Sequence, residues 1–319
     1  MAQQHPFGDE PFSVADGLGA GLGRGAMAGR AYDRPYHGVR ERVKPGGPHN
    51  AKKQPSTRDL LRRECAQYAV RMRPGQFFSH ETALVLCGAP APDGWEPVLH
   101  VSAYRPASGP RARGVIGHQL QNRKPALRNV FGMPIEQPVR AWVQTSWLWQ
   151  ADDLVAAGDH LIARRRGLAT VDALRAEAQQ MRGRALDDLL ALLRDGSESP
   201  KETKLRLVLR RAGLPEPDLN VDIHAADGRF VARVDLAYSA LRIAIEYDGR
   251  GHADDSAQFR RDADRWDDIR EQGWDLVRIL SHHLEDDGAA AVAKVRAALR
   301  RAGVTPIPRT SVAGHAHVS

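Results

Sequence analysis

Two short alternating runs stand out in the last third of the chain. In the first, Phe230, Ala232, Val234, Leu236 and Tyr238 fall on one face of an extended segment, with Arg233 and Asp235 on the other. In the second, Leu241, Ile243, Ile245 and Tyr247 share a face, and Ala244, Glu246 and Asp248 share the opposite one. A period of two predicts β-strands that bury an apolar side and expose a polar one. Leu219, Val221 and Ile223 predict a strand before them, and Asp227-Gly228 a hairpin turn. Beyond His252, the pattern Phe259, Ala263, Trp266, Ile269 predicts a helix closed by Gly273. Trp274 to Leu280 predicts a buried strand, and residues 287–301 a last helix.

Upstream, three- and four-residue spacing switches to helices. Leu60, Leu61, Cys65, Tyr68, Ala69 and Met72 mark one that Pro74 and Gly75 end, and Ser79 caps a second running to Cys87. Strands follow over 97–104 and 114–120. A helix from Pro138 carries Trp142, Trp147 and Trp149, all expected in the core. His100, His118 and His160 stand among apolar neighbours and are expected to be satisfied structural residues. Thr170 caps a helix to Met181, and Leu186, Leu189, Leu190 and Leu193 form an apolar stripe. Ser199-Pro200-Lys201-Glu202 predicts a complete capping box, which by itself accounts for Glu202. From Ser199 the order is helix, strand, strand, strand, helix, strand, helix, so the fold class is mixed α/β.

Composition refines this picture. With 319 residues the chain is long enough for two cores. The sequence divides into a Gly/Arg/Pro-rich segment at 1–58, an α+β domain at 59–182, a mixed α/β domain at 183–305 and a polar tail at 306–319. A net charge of +7 favours an anionic partner, DNA first. Cys65 and Cys87 are too few for a disulfide framework or a cysteine zinc site, which fits a reducing compartment. No apolar run is long enough to span a membrane and no signal-peptide layout opens the chain. A cytoplasmic protein without a membrane partner is expected.

The candidate chemistry lies on the polar face of the strand pair. Asp235, Glu246 and Asp248 stand together with no interspersed lysine, and His252 follows in Gly249-Arg250-Gly251-His252. Carboxylates held side by side repel one another, and a hard cation such as Mg²⁺ (or Mn²⁺) relieves that strain. The ordinary alternative is a solvated acidic face.

Ser199-x-x-Glu202, V-D-L-A-Y, R-I-A-I-E-Y-D-G-R-G-H, Asp262-x-x-Arg265 and Gly273-Trp274-x-x-Val277-Arg278 together resemble the domain related to very-short-patch-repair endonucleases. That family has the restriction-endonuclease-like fold, a central mixed sheet flanked by helices, and a PD-(D/E)xK site. The likeness covers about residues 197–290. Residues 60–165 more loosely resemble the C-terminal domain of abortive-infection type IV antitoxins, through S-H-E-T-A at 79–83, the strand carrying Gly114, Val115 and His118, and V-F-G-M-P-I-E-Q-P-V-R ending at Arg140. In that arrangement the opening residues, through Arg34-Pro35-Tyr36-His37-Gly38-Val39, correspond to a worn helix-turn-helix.

The first resemblance implies that Asp235 takes the place of the family's first aspartate and Glu246 that of its second acid. Val234 stands where many relatives have proline, and Asp248 where they have lysine. His252 falls where the repair enzymes carry one of their histidines; a second one is absent. The implied enzyme is a metal-dependent DNA endonuclease. Its Mg²⁺ is held by Asp235, Glu246, the Tyr247 carbonyl and Asp248, with His252 moving a proton and Glu202 ordering the hydrated ion. Arg250, Arg260, Arg261 and Arg265 would meet the DNA backbone, with Arg265 equally suited to pair with Asp262 or Asp248. Two alternatives stand beside it: a non-catalytic DNA-binding regulator with a degenerate nuclease domain, and a protein whose acidic face docks a partner.

Overall fold

A computed structural model describes residues 5–43, 55–121, 127–181, 186–249 and 256–304, with the side chains of 256–262 excepted. The chain forms two compact units, one of residues 1–150 and 168–186, the other of 151–167 and 187–319.

The first unit opens with β1 (Phe12–Ser13), α1 (Val14–Gly19), α2 (Arg24–Ala28), β2 (Tyr32–Asp33) and β3 (Val39–Arg42). Residues 5–43 thus fold into a three-stranded sheet of order β1-β3-β2 with two short helices, around buried Phe12, Met27 and Val39. Gly21 and Gly23 fall between the two helices.

Next come α3 (Thr57–Ala69), β4 (Gln76–Phe78), α4 (His80–Leu86), β5 (Leu99–Tyr104), β6 (Val115–Leu120), β7 (Leu127–Val130), β8 (Met133–Glu136) and α5 (Pro138–Thr145). Helix α6 (Ala151–Ile162) passes to the second unit, and α7 (Val171–Gln180) returns to the first. Strands β4 to β8 make a five-stranded mixed sheet of order β6-β5-β4-β8-β7. Trp142 and Trp149 are buried as expected, but Trp147 is 65% exposed. Helix α5 ends at Thr145, so the helical spacing no longer decides where Trp147 points.

The second unit continues with α8 (Asp187–Leu190), α9 (Pro200–Arg211), β9 (Asp218–His224), β10 (Phe230–Tyr238), β11 (Ile243–Asp248), α10 (Ser256–Glu271), β12 (Asp275–Leu280) and α11 (Ala289–Arg301). The sheet order is β12-β11-β10-β9. Strands β9, β10 and β11 are antiparallel neighbours, and β12 runs parallel to β11 through the α10 crossover. On one face, Leu236, Ile243, Ile245 and Val277 pack with Leu205 and Leu209 of α9 and Val295 and Leu299 of α11. Each such side chain contributes about 1.5–3 kcal/mol on burial.

The other face departs from the expectation that it is exposed. Ala237 and Ala244 are buried with Ile269 of α10. Two alanines on the sheet leave room for that helix to lie close, and it covers the face that carries the acids. Arg206 of α9 is also fully buried, paired with the equally buried Asp159 of α6 at 2.9 Å. Thr203 and the Arg194 N–H complete the acceptor needs of Asp159. Among the described residues, no helix is long and apolar enough to cross a membrane.

Candidate functional site: an acidic fork in the sheet of the second unit

Pairing between β10 and β11 runs through Tyr238/Ile243, Ala237/Ala244 and Leu236/Ile245 and goes no further. Beyond that point β10 stays with β9, through Val234/Val221, and β11 stays with β12, through Tyr247/Ile279 and Asp248/Leu280. The sheet therefore forks, and Asp235 and Glu246 are the first residues on its two arms. At the crotch the Tyr247 N–H donates to Asp235 Oδ2 at 2.8 Å, so a side chain replaces the missing strand partner.

Burial pushes the Asp235 carboxyl up to about 6, helped by the Glu246 and Glu198 charges and opposed by the Tyr247 N–H and Arg265. Glu246 is also raised, chiefly by burial. Its carboxylate accepts from both terminal nitrogens of Arg265 and, at 3.0 Å, from the indole N–H of Trp266. Both donors come from α10. Arg265 additionally donates to the Arg233 carbonyl. It thus pairs with Glu246 rather than with Asp248, because the crossover helix brings it over the arm that carries Glu246; the Asp262 side chain lies outside the described residues.

Glu202 approaches from the start of α9. Ser199 caps the helix by accepting from the Glu202 N–H at 3.2 Å. The other half of the expected capping box is not made. The Glu202 carboxylate reaches past Ser199 to the Glu198 N–H at 2.8 Å and takes the Asn220 amide at 3.2 Å. Burial raises its pKa, and the Asp235 charge adds to the rise. Asp248 is bound to Arg278 at 2.8 Å, and that guanidinium lies 3.3 Å from the centre of the Trp266 ring.

The Tyr247 side chain points away to Ser281, its hydroxyl 3.1 Å from that of the serine. Arg250 and His252 lie outside the described residues. Arg260 and Arg261 are placed as backbone of α10. Sequence reasoning missed Trp266 as a partner of Glu246, though it lies beside Arg265 in the α10 pattern. It also missed Asn220, for which no signal exists: its φ of 48° is a local turn of β9 that aims the amide at Glu202.

The donor set is all oxygen, as Mg²⁺ or Mn²⁺ prefers. Arg265 supplies the positive charge at Glu246, and its side chain is 37% exposed, which leaves it room to withdraw. In that sense a guanidinium stands in for a cation; no three carboxylates among the described residues have oxygens within 4.8 Å of one another, so an ion at this site requires Arg265 to withdraw and the acids to close in.

No family model matches the chain. No solved structure matches it either. Among curated proteins, the uncharacterized proteins Rv2248 and MT2308 from two strains of Mycobacterium tuberculosis are each 30% identical to it over 198 residues. The match spans 55% of this chain and 71% of each relative.

Proposed function

Because the chain belongs to the family of the uncharacterized mycobacterial proteins Rv2248 and MT2308, its role has to be argued from its own residues, and we propose that the second unit is a metal-dependent DNA endonuclease of the restriction-endonuclease-like class. The observation that carries this reading is the fork: Asp235 and Glu246 face each other where β10 and β11 part, with Glu202 across from Asp235. The order α9, β9, β10, β11, α10, β12, with only β11 and β12 parallel, supports the same class.

Asp235 and Glu246 are the residues that would hold Mg²⁺ or Mn²⁺, with the Tyr247 carbonyl and Asp248 as further oxygen donors and Glu202 ordering the water around the ion. A bound divalent ion supplies charge neutralisation at a phosphate and lowers the pKa of water. The chain's own contribution is orientation. The Glu198 N–H and Asn220 amide fix Glu202, leaving a raised-pKa carboxyl able to order and deprotonate a water. Trp266 fixes Glu246 from the opposite side. Arg265, once displaced from Glu246, is a free guanidinium beside the acids and suited to a phosphate oxygen. His252 and the arginines at 250, 260 and 261 remain assigned from the sequence alone.

Nicking of supercoiled plasmid with Mg²⁺ or Mn²⁺ tests the reading. Activity that disappears in Asp235→Ala and Glu246→Gln supports it, and activity unchanged in both removes the site. The closed pairs Arg265–Glu246 and Arg278–Asp248 favour a second reading, a DNA-binding regulator that has lost the reaction. Its signature is DNA binding indifferent to chelators, with no uptake of Mn²⁺.

A further inference from the structure

The first unit holds a second cluster of metal-ligating groups, independent of the acidic fork. One ring nitrogen from each of His80, His100 and His118 lies within 4.8 Å of the other two, and among the described residues no other group of three His, Cys, Asp or Glu meets that condition. The three come from separate elements. His80 opens α4, His100 is on β5 and His118 on the neighbouring β6. In the parallel pairing of those strands Ser102 is opposite His118, which sets His100 and His118 diagonally on one face. The Ser79 N–H donates to the His100 carbonyl at 3.0 Å and pins the start of α4 beside them.

His80 adopts a φ of 52°, in the left-handed region that few non-glycine residues occupy. That backbone turn accompanies ring stacking, with His80 and His118 centred 3.9 Å apart and His100 and His118 5.1 Å apart. Burial disfavours the charged form of all three rings. Neutral imidazole is the ligating form.

The outer contacts fit ligands better than they fit a plain core. A metal-bound histidine commonly has its second nitrogen held by a carboxylate, a carbonyl or another fixed polar group. Here Ser79 Oγ is 2.9 Å from His80 Nδ1, and Ser102 in turn donates to Ser79 at 2.6 Å. Glu81 Oε1 faces His100 Nε2 at 3.6 Å, while Glu81 Oε2 accepts the Trp149 indole N–H at 2.7 Å. The nitrogens left to converge are His80 Nε2, His100 Nδ1 and His118 Nε2. The last two are 2.9 Å apart and share a hydrogen. Zinc–nitrogen bonds of about 2.0–2.1 Å place tetrahedral ligands roughly 3.4 Å from one another, so the pair needs to open by about half an ångström.

We propose that His80, His100 and His118 form a binding site for one divalent transition-metal ion of the zinc class, with the fourth position left to water or another oxygen ligand. Imidazole ligands select such ions over Mg²⁺. The site does not depend on the nuclease reading, and its occupancy is measured without reference to DNA cleavage.

The test uses the full chain stripped with a chelator and titrated with Zn²⁺ by calorimetry and with Co²⁺ by its visible absorption. Wild type is expected to take up one equivalent at this site, with the intense bands of a tetrahedral nitrogen-ligated Co²⁺. His118→Ala, a change at a half-buried residue on an edge strand, should abolish that uptake while circular dichroism stays unchanged. Glu81→Gln should weaken it roughly ten- to a hundredfold. Asp235→Ala should leave it intact. No uptake by wild type, or equal uptake by His118→Ala, overturns the proposal. Should His118→Ala fail to fold, X-ray absorption at the zinc edge of the loaded wild type decides: three imidazoles support the site, and fewer than three refute it.

Discussion

The Tyr247 backbone N–H donates to the Asp235 carboxylate at 2.8 Å across the point where two strands stop pairing. That one bond explains why the fork is stable. The amide released by the end of the ladder is satisfied by the side chain that the fork exposes. It also fixes Asp235 beside Glu246, in a place where both carboxyls are hard to ionise.

A stability signature follows from Asp235. Its carboxyl ionises near 3.8 in an unfolded chain and at about 6 in the folded one. Well below pH 3.8 it is protonated in both states and costs nothing. Between these values the unfolded chain ionises first, so stability falls as pH rises, and above 6 the full penalty of about 3 kcal/mol is present. Asp235→Asn keeps an acceptor for the Tyr247 N–H and should raise the melting temperature at pH 7.5. The gain should shrink to a small remnant at pH 4 and vanish about one pH unit lower. Equal gains at both pH values would show that the titration of Asp235 is not the cause.

Arg265 and a divalent ion compete for Glu246. Releasing a partly exposed ion pair costs about 1 kcal/mol, so Arg265→Ala should tighten Mn²⁺ binding roughly fivefold. Calorimetry on the two proteins reads this directly. Weaker binding by the variant would show that the guanidinium does not occupy the ion's place.

The Asp159–Arg206 pair is a stability element rather than part of the site. Both side chains are buried, and without Asp159 the guanidinium keeps only its longer 3.4 Å pair with Glu216. Asp159→Ala should therefore lower the unfolding free energy by about 3–5 kcal/mol. Urea titration measures it, and a loss under 1 kcal/mol would mean that water reaches Arg206.

Alternation made the strands of the second unit and the face of the acids legible in the sequence, but not the whole inward set of β10: Ala232 and Val234 pack with Ala237 and Ala244, Leu236 and Tyr238 pack in the other cluster, and Phe230 is 54% exposed. What covers that face was not legible. Ala237 and Ala244 read as weak strand residues, yet their small size is what admits α10. The Arg265–Glu246 pair spans a crossover, so no local spacing announces it. Glu202 bypassing Ser199 for the Glu198 N–H follows from loop geometry that a capping motif does not encode. His80, His100 and His118 stand 20 and 18 positions apart, intervals set by a helix start and two strand registers rather than by any repeating pattern.

The threading of the chain has a practical outcome. Since Asp159 resides in the 151–167 stretch, a shortened version begun at residue 187 would strip Arg206 of its fully buried partner and leave it only the longer 3.4 Å pair with Glu216. Whoever wishes to isolate the second unit must start ahead of Ala151 and carry residues 168–186 along, although these fold with the first.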